Sequence, residues 1–323
     1  MIHSFIFSDG KLVGRDLEVE ALRLVRADKG LILWVDLDNA TEEEIKNILE
    51  GVFQFHPLSI EDCVTPSDLP KVEDYEDYVF MVTHAVDFTR QDKFATTEVD
   101  FFLGKDFLVT FHREPLRSVA TLKERAIKNT ALAPRGPDRL AHTLLDIIID
   151  GFAPVVEELR TELEEIEELV LGPSSSKAFM QEMLHVRADF SKLRQIIRPQ
   201  RDMIERLARG ESKMIRGKLL PYFRDLRDNL VRFEAAVNGY HDRLLMSFDI
   251  YLNKAAFEAN EGIKFLTALT AITLPVMVVG TWFGMNFEDM PELKSRYGYQ
   301  IAFGVTLVFT ALAWVYLRRR KWF

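Results

Sequence analysis

Cysteine is nearly missing from this chain of 323 residues. Cys63 stands alone, so no intramolecular disulfide and no cysteine-cluster metal site can form. Positive charge is in deficit, with 41 Lys and Arg against 50 Asp and Glu. The net charge of -9 argues against a nucleic-acid partner, which would call for a basic surface. No GxxxxGKS/T phosphate loop, HExxH pair or GxSxG elbow is present, and the seven histidines lack ligand spacing. The expectation is therefore a protein that is not an enzyme. The segment MIHSFIFSDG has no basic stretch and meets an acid early, unlike a secretory signal. Apolar residues make up 48%, so a folded chain is expected.

Long uncharged runs are present, and both lie near the C-terminus. Residues 265–287 and 297–317 hold no charge, and each is long enough to cross a bilayer core of about 20 helical residues. Arg318, Arg319, Arg320 and Lys321 close the second run, which the positive-inside rule places in the cytoplasm. Two spans then put the long N-terminal part there too, with residues 288–296 as an external loop and 318–323 as a basic tail. Trp282, Tyr297, Tyr299, Trp314, Tyr316 and Trp322 sit near the span ends, as interfacial aromatics do. The mean hydropathy of -0.04 averages two unlike parts. Residues 265–323 set Glu288, Asp289 and Glu292 against six Lys and Arg and carry +3, which leaves -12 on residues 1–264. An acidic body beside a membrane anchor suits cationic ligands, or simply solubility.

Residues 1–136 read as an α/β domain. Strands are expected at Ile2–Phe7, Leu22–Val25, Leu31–Val35, Tyr78–Phe88, Thr97–Leu103 and Phe107–Phe111, from their β-branched and aromatic content. Thr41 followed by Glu44 forms a capping box that opens a helix. Asp36 and Asp38 have the spacing of a metal pair, but the simpler account is a strand end. His112-Arg113-Glu114 also reads as structural. Residues 137–219 read as a helical hairpin, one helix over about 137–171 and its return over about 177–209, joined by GPSSS. Val156, Leu159, Leu163, Ile166 and Val170 step by three and four, the spacing of a coiled-coil seam. Seven glutamates fall within 157–168, and the return helix is rich in arginine, which suggests pairing between the two. Pro221 suits the first turn of a helix and no proline follows until Pro275, so a stalk helix over 220–264 should run into the first span as one rod of roughly 100 Å. So long a helix needs partners, which points to an oligomer.

One face of that rod is unusual. Steps of three and four from Asn260 give Ile263, Thr267, Thr270, Leu274, Met277, Thr281 and Gly284, and backward steps reach Asp249. The period of 3.5 keeps such a stripe on one axis. A small and polar stripe suits a pore lining, and it equally suits plain helix packing.

The first span closes on Gly284-Met285-Asn286, followed by an acidic loop containing Met290-Pro291-Glu292-Leu293. With two spans and a basic C-terminal end, this pattern resembles the CorA family of magnesium transport proteins. Ile60-Glu61-Asp62-Cys63, Pro70-Lys71-Val72-Glu73, Pro221-Tyr222-Phe223-Arg224-Asp225 and Asp249-Ile250-Tyr251-Leu252 extend the likeness over essentially the whole chain. The resemblance implies an α+β cytoplasmic domain, long stalk helices and two transmembrane helices in a funnel-shaped homopentamer of the inner (plasma) membrane, with both termini cytoplasmic. It implies influx of Mg²⁺, with Co²⁺ and Ni²⁺ as further candidates. Gly284, Met285 and Asn286 would form the selectivity filter. Asp249, Asn260, Ile263, Thr267, Thr270, Leu274, Met277 and Thr281 would line and gate the pore, and Glu288, Asp289 and Glu292 would concentrate cations outside. Glu61, Asp62, Asp146 and Asp225 match positions that bind regulatory Mg²⁺ between subunits, although composition alone makes Glu61 and Asp62 ordinary surface acids. Phe283 replaces a common tyrosine and Met277 a common threonine. Two other readings stand beside this one: a zinc transporter of the related ZntB type, and a two-span sensor or scaffold that transports nothing.

Overall fold

The computed structural model describes residues 1–28, 30–67, 69–89, 93–128, 136–172, 177–286, 291, 295–320 and 322. Two compact units divide the chain, Met1–Met246 and Ser247–Phe323.

The first unit is built on a seven-stranded sheet: β1 (Ile2–Ser8), β2 (Lys11–Arg15), β3 (Ile32–Asp38), β4 (Lys71–Asp74), β5 (Tyr78–Thr89), β6 (Lys93–Gly104) and β7 (Phe107–His112). Their order is β2-β1-β3-β7-β6-β5-β4, and only β3 and β7 run parallel. Strands buried on both faces read as continuous apolar runs, and β7 (FLVTFH) is buried at every position.

Helices cover both faces. One face packs on α1 (Val19–Ala27), α2 (Glu42–Ile45) with its π-helical extension Lys46–Val52, and α3 (Pro57–Val64). The Leu22–Val25 segment expected as a strand lies inside α1. It is amphipathic at helical spacing, burying Leu22 fully and Val19 and Val25 in part. The capping box holds: the Glu44 amide donates to Thr41 Oγ1 at 3.3 Å, and the Thr41 amide donates to Glu44 Oε2 at 2.9 Å. The other face carries α4 (Arg117–Ile127), α5 (Pro137–Asp150) and α6 (Phe152–Leu171). The single helix expected over 137–171 is broken at Gly151. There a Cβ would sit 3.1 Å from the Ile148 carbonyl of the preceding turn and 3.4 Å from that of Val86 on β5, so the chain passes close to the sheet.

The hairpin partner α7 (Lys177–Ala208) returns along α6, and the first part of α8 (Leu220–Phe283) runs antiparallel to α7. Arg201 pairs with Glu234, Arg227 Nη1 meets Glu205 at 3.1 Å, and Arg194 lies 3.4 Å from His241. All five seam positions of α6 are buried, as their spacing requires. Three of the glutamates of α6 find partners within their own helix or on α8. Arg160 holds Glu157 and Glu164 at 2.5 Å each, and Arg243 holds Glu167 at 2.6 Å. Glu162, facing Asp189 and Glu182 of α7, is instead pushed up to about 7 by burial and by those neighbouring charges.

The second unit holds the rest of α8 and α9 (Gly298–Arg319), two helices long and apolar enough to cross a membrane.

Candidate functional site

Within the second unit α8 has two faces. Ala268 is fully buried, and Lys264, Ala271, Ile272, Pro275, Val279 and Phe283 are half-buried around it. The less exposed side of α9 is Gly298, Ala302, Thr306, Thr310, Ala313 and Leu317, mostly small residues four apart. The stripe lies about 140° around α8 from this packed face, at 3.6 residues per turn. Asp249, Asn260, Ile263, Thr267, Thr270, Leu274, Met277 and Thr281 are all exposed, Leu274 at 50% and Met277 at 57%. The stripe is therefore not what packs α8 on α9.

Its hydroxyls are oriented. Thr267 Oγ1 donates to the Ile263 carbonyl at 2.8 Å, Thr270 Oγ1 to that of Leu266 at 2.9 Å, and Thr281 Oγ1 to that of Met277 at 2.7 Å. A hydroxyl has one proton to give and two lone pairs to receive. With the proton spent inside the helix, each threonine offers only acceptors. The waters of a hydrated cation point their hydrogens outward, so acceptors are what they need. Leu274 and Met277 interrupt this polar series with an apolar band.

The rod ends at Phe283. The Gly284 amide donates to the carbonyls of Gly280 and Thr281 at 3.0 and 3.2 Å, and the Met285 amide to that of Trp282 at 3.4 Å. These bonds turn the chain out of the helix at Gly284, where a Cβ would stand 3.1 Å from the Gly280 carbonyl oxygen. The negative end of the helix dipole thus lies beside exposed Met285 and Asn286, a setting that favours a cation. Glu288, Asp289 and Glu292 lie outside the described residues.

The four acids expected to regulate fall into two pairs. Asp146 on α5 and Asp225 on α8 act on the same neighbours, Asp150 and His142. Asp150 is pushed up by partial burial and then by Asp146 and, less, Asp225, with Arg125 opposing. His142 is pulled down by burial although both carboxylates favour its charge, and its ring stands edge-on to Phe223 at 5.3 Å. Positions 142, 146 and 150 are four apart on α5, a spacing that shows their shared face in the sequence. The first turn of α5 is anchored by buried Asp138, which accepts from Arg216 Nε at 2.7 Å and Nη2 at 2.5 Å.

Glu61 and Asp62 sit on α3. Arg113 Nη2 donates to the carbonyls of Cys63 and Val64 at 2.9 and 2.6 Å and so fixes the end of that helix. Glu61 is exposed, whereas Asp62 is bound by Lys71 at 2.5 Å, and the same ammonium reaches Glu73 at 3.2 Å. Among the described residues no three His, Cys, Asp or Glu side chains are grouped so as to hold a metal.

The Asp36–Asp38 pair is structural. Asp36 is fully buried and accepts from Thr110 Oγ1 at 2.5 Å, His112 Nε2 at 3.3 Å and Lys123 Nζ at 2.6 Å. Burial pushes its carboxyl up, and the His112 hydrogen bond and the His112 and Lys123 charges outweigh that and hold it below its usual range.

The family description "CorA-like Mg2+ transporter protein" matches residues 29–319. The YfjQ protein of Bacillus subtilis is 30% identical over 290 residues, 90% of this chain and 89% of its own length. The cobalt/magnesium transport protein CorA of Thermotoga maritima is 27% identical over 297 residues, 91% and 84% of the two chains. Among solved structures, the complete CorA magnesium transporter of Methanocaldococcus jannaschii superposes with a TM-score of 0.82 at 20% identity, covering 99% of this chain and 98% of its own. The ZntB cytoplasmic domain of Vibrio parahaemolyticus shares the fold with a TM-score of 0.60 at 12% identity over 70% of this chain and 88% of its own. The chain belongs to the CorA-like Mg²⁺ transporter family.

Proposed function

We propose that this CorA-like chain forms an ion channel for hydrated Mg²⁺, passing inward through an oligomer in the cell membrane. The observation that carries it is the exposed stripe of α8, whose outward-facing acceptors end at Gly284-Met285-Asn286. Five copies, the number implied by the family resemblance, would turn the stripe toward a common axis. Mg²⁺ holds its waters tightly. A ring of Asn286 amide oxygens at the outer mouth would accept hydrogen bonds from those waters without stripping them, as would the Gly284 carbonyls. The acids of the loop, Glu288, Asp289 and Glu292, would draw cations toward that ring. Below it Thr281, Thr270 and Thr267 would hand the hydrated ion along, and Asn260 and Asp249 would receive it near the cytoplasm. The Leu274–Met277 band would close the path by dewetting. An inside-negative potential favours entry by about 4.6 kcal/mol per 100 mV for a divalent ion, so the gradient and the potential suffice as driving force.

Regulation is proposed to use the same ion. Asp146 and Asp225 offer hard oxygen ligands, the type Mg²⁺ takes. Asp150 beside them is pushed up in part by their like charge, which a bound divalent cation would relieve. Glu61 and Asp62 of a neighbouring copy would complete the site, with Asp62 released from Lys71. Bound Mg²⁺ would hold the copies together and the pore shut, and loss of internal Mg²⁺ would loosen them.

The test is Mg²⁺ uptake into proteoliposomes at inside-negative potential and low internal Mg²⁺, with Asn286→Ala and a Zn²⁺ competition arm alongside. Uptake lost in the variant and suppressed by internal Mg²⁺ is the expected result. Zn²⁺ flux without Mg²⁺ flux moves the chain to the zinc transporters, and flux of neither ion moves it to a two-span sensor.

A further inference from the structure

A concave pocket of about 710 Å³ opens in the first unit where β3 and β7 begin, lined by residues that the proposed ion path does not use. Its size falls in the range of small-ligand sites, about 300–1,000 Å³. Three cations line it: Arg23 and Arg26 from α1 and Lys105 from the β6–β7 turn. Such a convergence stands out in a region whose net charge is -12.

Arg26 is held in place by its neighbours, and all three cations have unused donors. The Arg26 guanidinium lies over the rings of Phe107 and Phe53, at 4.4 and 5.0 Å to the centroids. Its carboxylate neighbour, Asp106, stands 3.9 Å from Nη1, beyond hydrogen-bond distance. Burial pulls this group down, with Asp106 and Asp77 opposing. A half-buried guanidinium has five N–H donors to satisfy. Among the described residues Arg26 makes no hydrogen bond, and Arg23 and Lys105 have neither a hydrogen bond nor an ion pair. Arg23 lies against Gly51, where a Cβ would come within 3.2 Å of Nη2. The adjoining wall is turned by Gln54, whose φ of 56° is the left-handed conformation that non-glycine residues seldom adopt. That turn sends Phe53 and Phe55 into the core and leaves Gln54 on the pocket. Strained backbone of this kind concentrates at ligand sites.

We infer that this pocket binds a small polyphosphate anion, with the phosphoryl oxygens accepting from Arg26, Arg23 and Lys105. Planar guanidinium forks match phosphate oxygens in pairs, and three converging cations suit a ligand with more than one charge. Asp77 and Asp106 on the same wall repel a bare polyanion, but they accept hydrogen bonds from the waters of a Mg²⁺ that rides on it. The rings of Phe53 and Phe107 are buried, which leaves the phosphates as the recognised part.

The test is equilibrium binding of labelled pyrophosphate to the full-length protein in detergent, with and without Mg²⁺, and with ATP as competitor. The expected result is saturable binding, tighter with Mg²⁺, and weakened at least tenfold by Arg23→Gln with Lys105→Gln. Both residues are exposed, so the melting temperature of the double variant should match that of the parent. Full competition by ATP assigns the site to nucleotides, and competition by pyrophosphate alone assigns it to inorganic polyphosphate. Lack of saturable binding at millimolar pyrophosphate, or undiminished binding in the double variant, overturns the site; weakening by Mg²⁺ overturns the role given to Asp77 and Asp106. Binding is read without ion flux, so its failure leaves the transport proposal untouched.

Discussion

Glu162 lies on the seam between α6 and α7 and should make the hairpin sensitive to pH near neutrality. Its carboxyl is half-buried and surrounded by Asp189, Glu158, Glu165 and Glu182, and burial followed by these charges raises it from 4.5 to about 7. An acid raised on folding contributes stability that is fully present below pH 4.5 and is lost as pH climbs through about 7. Each tenfold change in proton affinity is worth about 1.36 kcal/mol, so the rise from 4.5 to about 7 sets an upper bound of about 3.4 kcal/mol. Solvent reaches part of the carboxylate and screens its neighbours, which brings the expected figure to about 1–2 kcal/mol. Glu162→Gln keeps the shape and removes the ionisation. At pH 8 the variant hairpin should therefore exceed the parent by about 1–2 kcal/mol, and the difference should close by pH 4.5. Amide hydrogen exchange of α6 and α7 between pH 4.5 and 8.5, corrected for intrinsic rates, reads this locally in the full-length protein. A difference that stays constant across that range, or a variant less protected at pH 8, would refute the electrostatic account.

Two further outcomes follow from the geometry. Lys123→Met takes the 2.6 Å ammonium partner from fully buried Asp36 and leaves only His112 to balance its charge, which should cost about 3 kcal/mol by urea unfolding. Gly284→Ala sets a Cβ 3.1 Å from the Gly280 carbonyl and displaces the start of the Gly284-Met285-Asn286 turn, so Mg²⁺ flux should fall while the melting temperature stays within about 2 °C of the parent's.

What the sequence makes legible, and what it hides, divides by range. The capping box at Thr41 and the α6 seam are local patterns, and each stands where its spacing places it, while the two uncharged runs fall in helices long and apolar enough to cross a membrane. The strands missed are β2 (KLVGR) and β4 (KVED), the two edges of the sheet. Edge strands are short and half-exposed, so they lack the apolar run that marks their neighbours. The break at Gly151 falls beside a carbonyl of β5 that is 65 residues away in the chain, which local sequence does not show. The Asp36–His112 bond joins residues 76 apart, so the DxD spacing could show two acids but not what neutralises them. Asp150 and His142 belong beside Asp146, and only their four-residue spacing hinted at it. Arg23, Arg26 and Lys105 come from two distant segments, and no motif links them.

The two membrane helices also differ in a way that bears on assembly. The outward face of α9 carries Ile301, Val305, Leu307, Val308, Phe309, Leu312 and Val315, all exposed and all apolar, as a lipid-facing surface should be. Exposed α8 interleaves Thr267, Thr270 and Thr281 with its apolar residues, and continues to Asn260 and Asp249. Lipid offers a hydroxyl no hydrogen-bond partner. The threonines tolerate an apolar setting because their protons are already bonded to the helix, but their remaining lone pairs are satisfied only by water. In the proposed channel, a water-facing α8 and a lipid-facing α9 would minimise the solvation penalty of both helices at once. One copy cannot enclose water with two helices, so the proposed channel would need several copies around a shared aqueous axis.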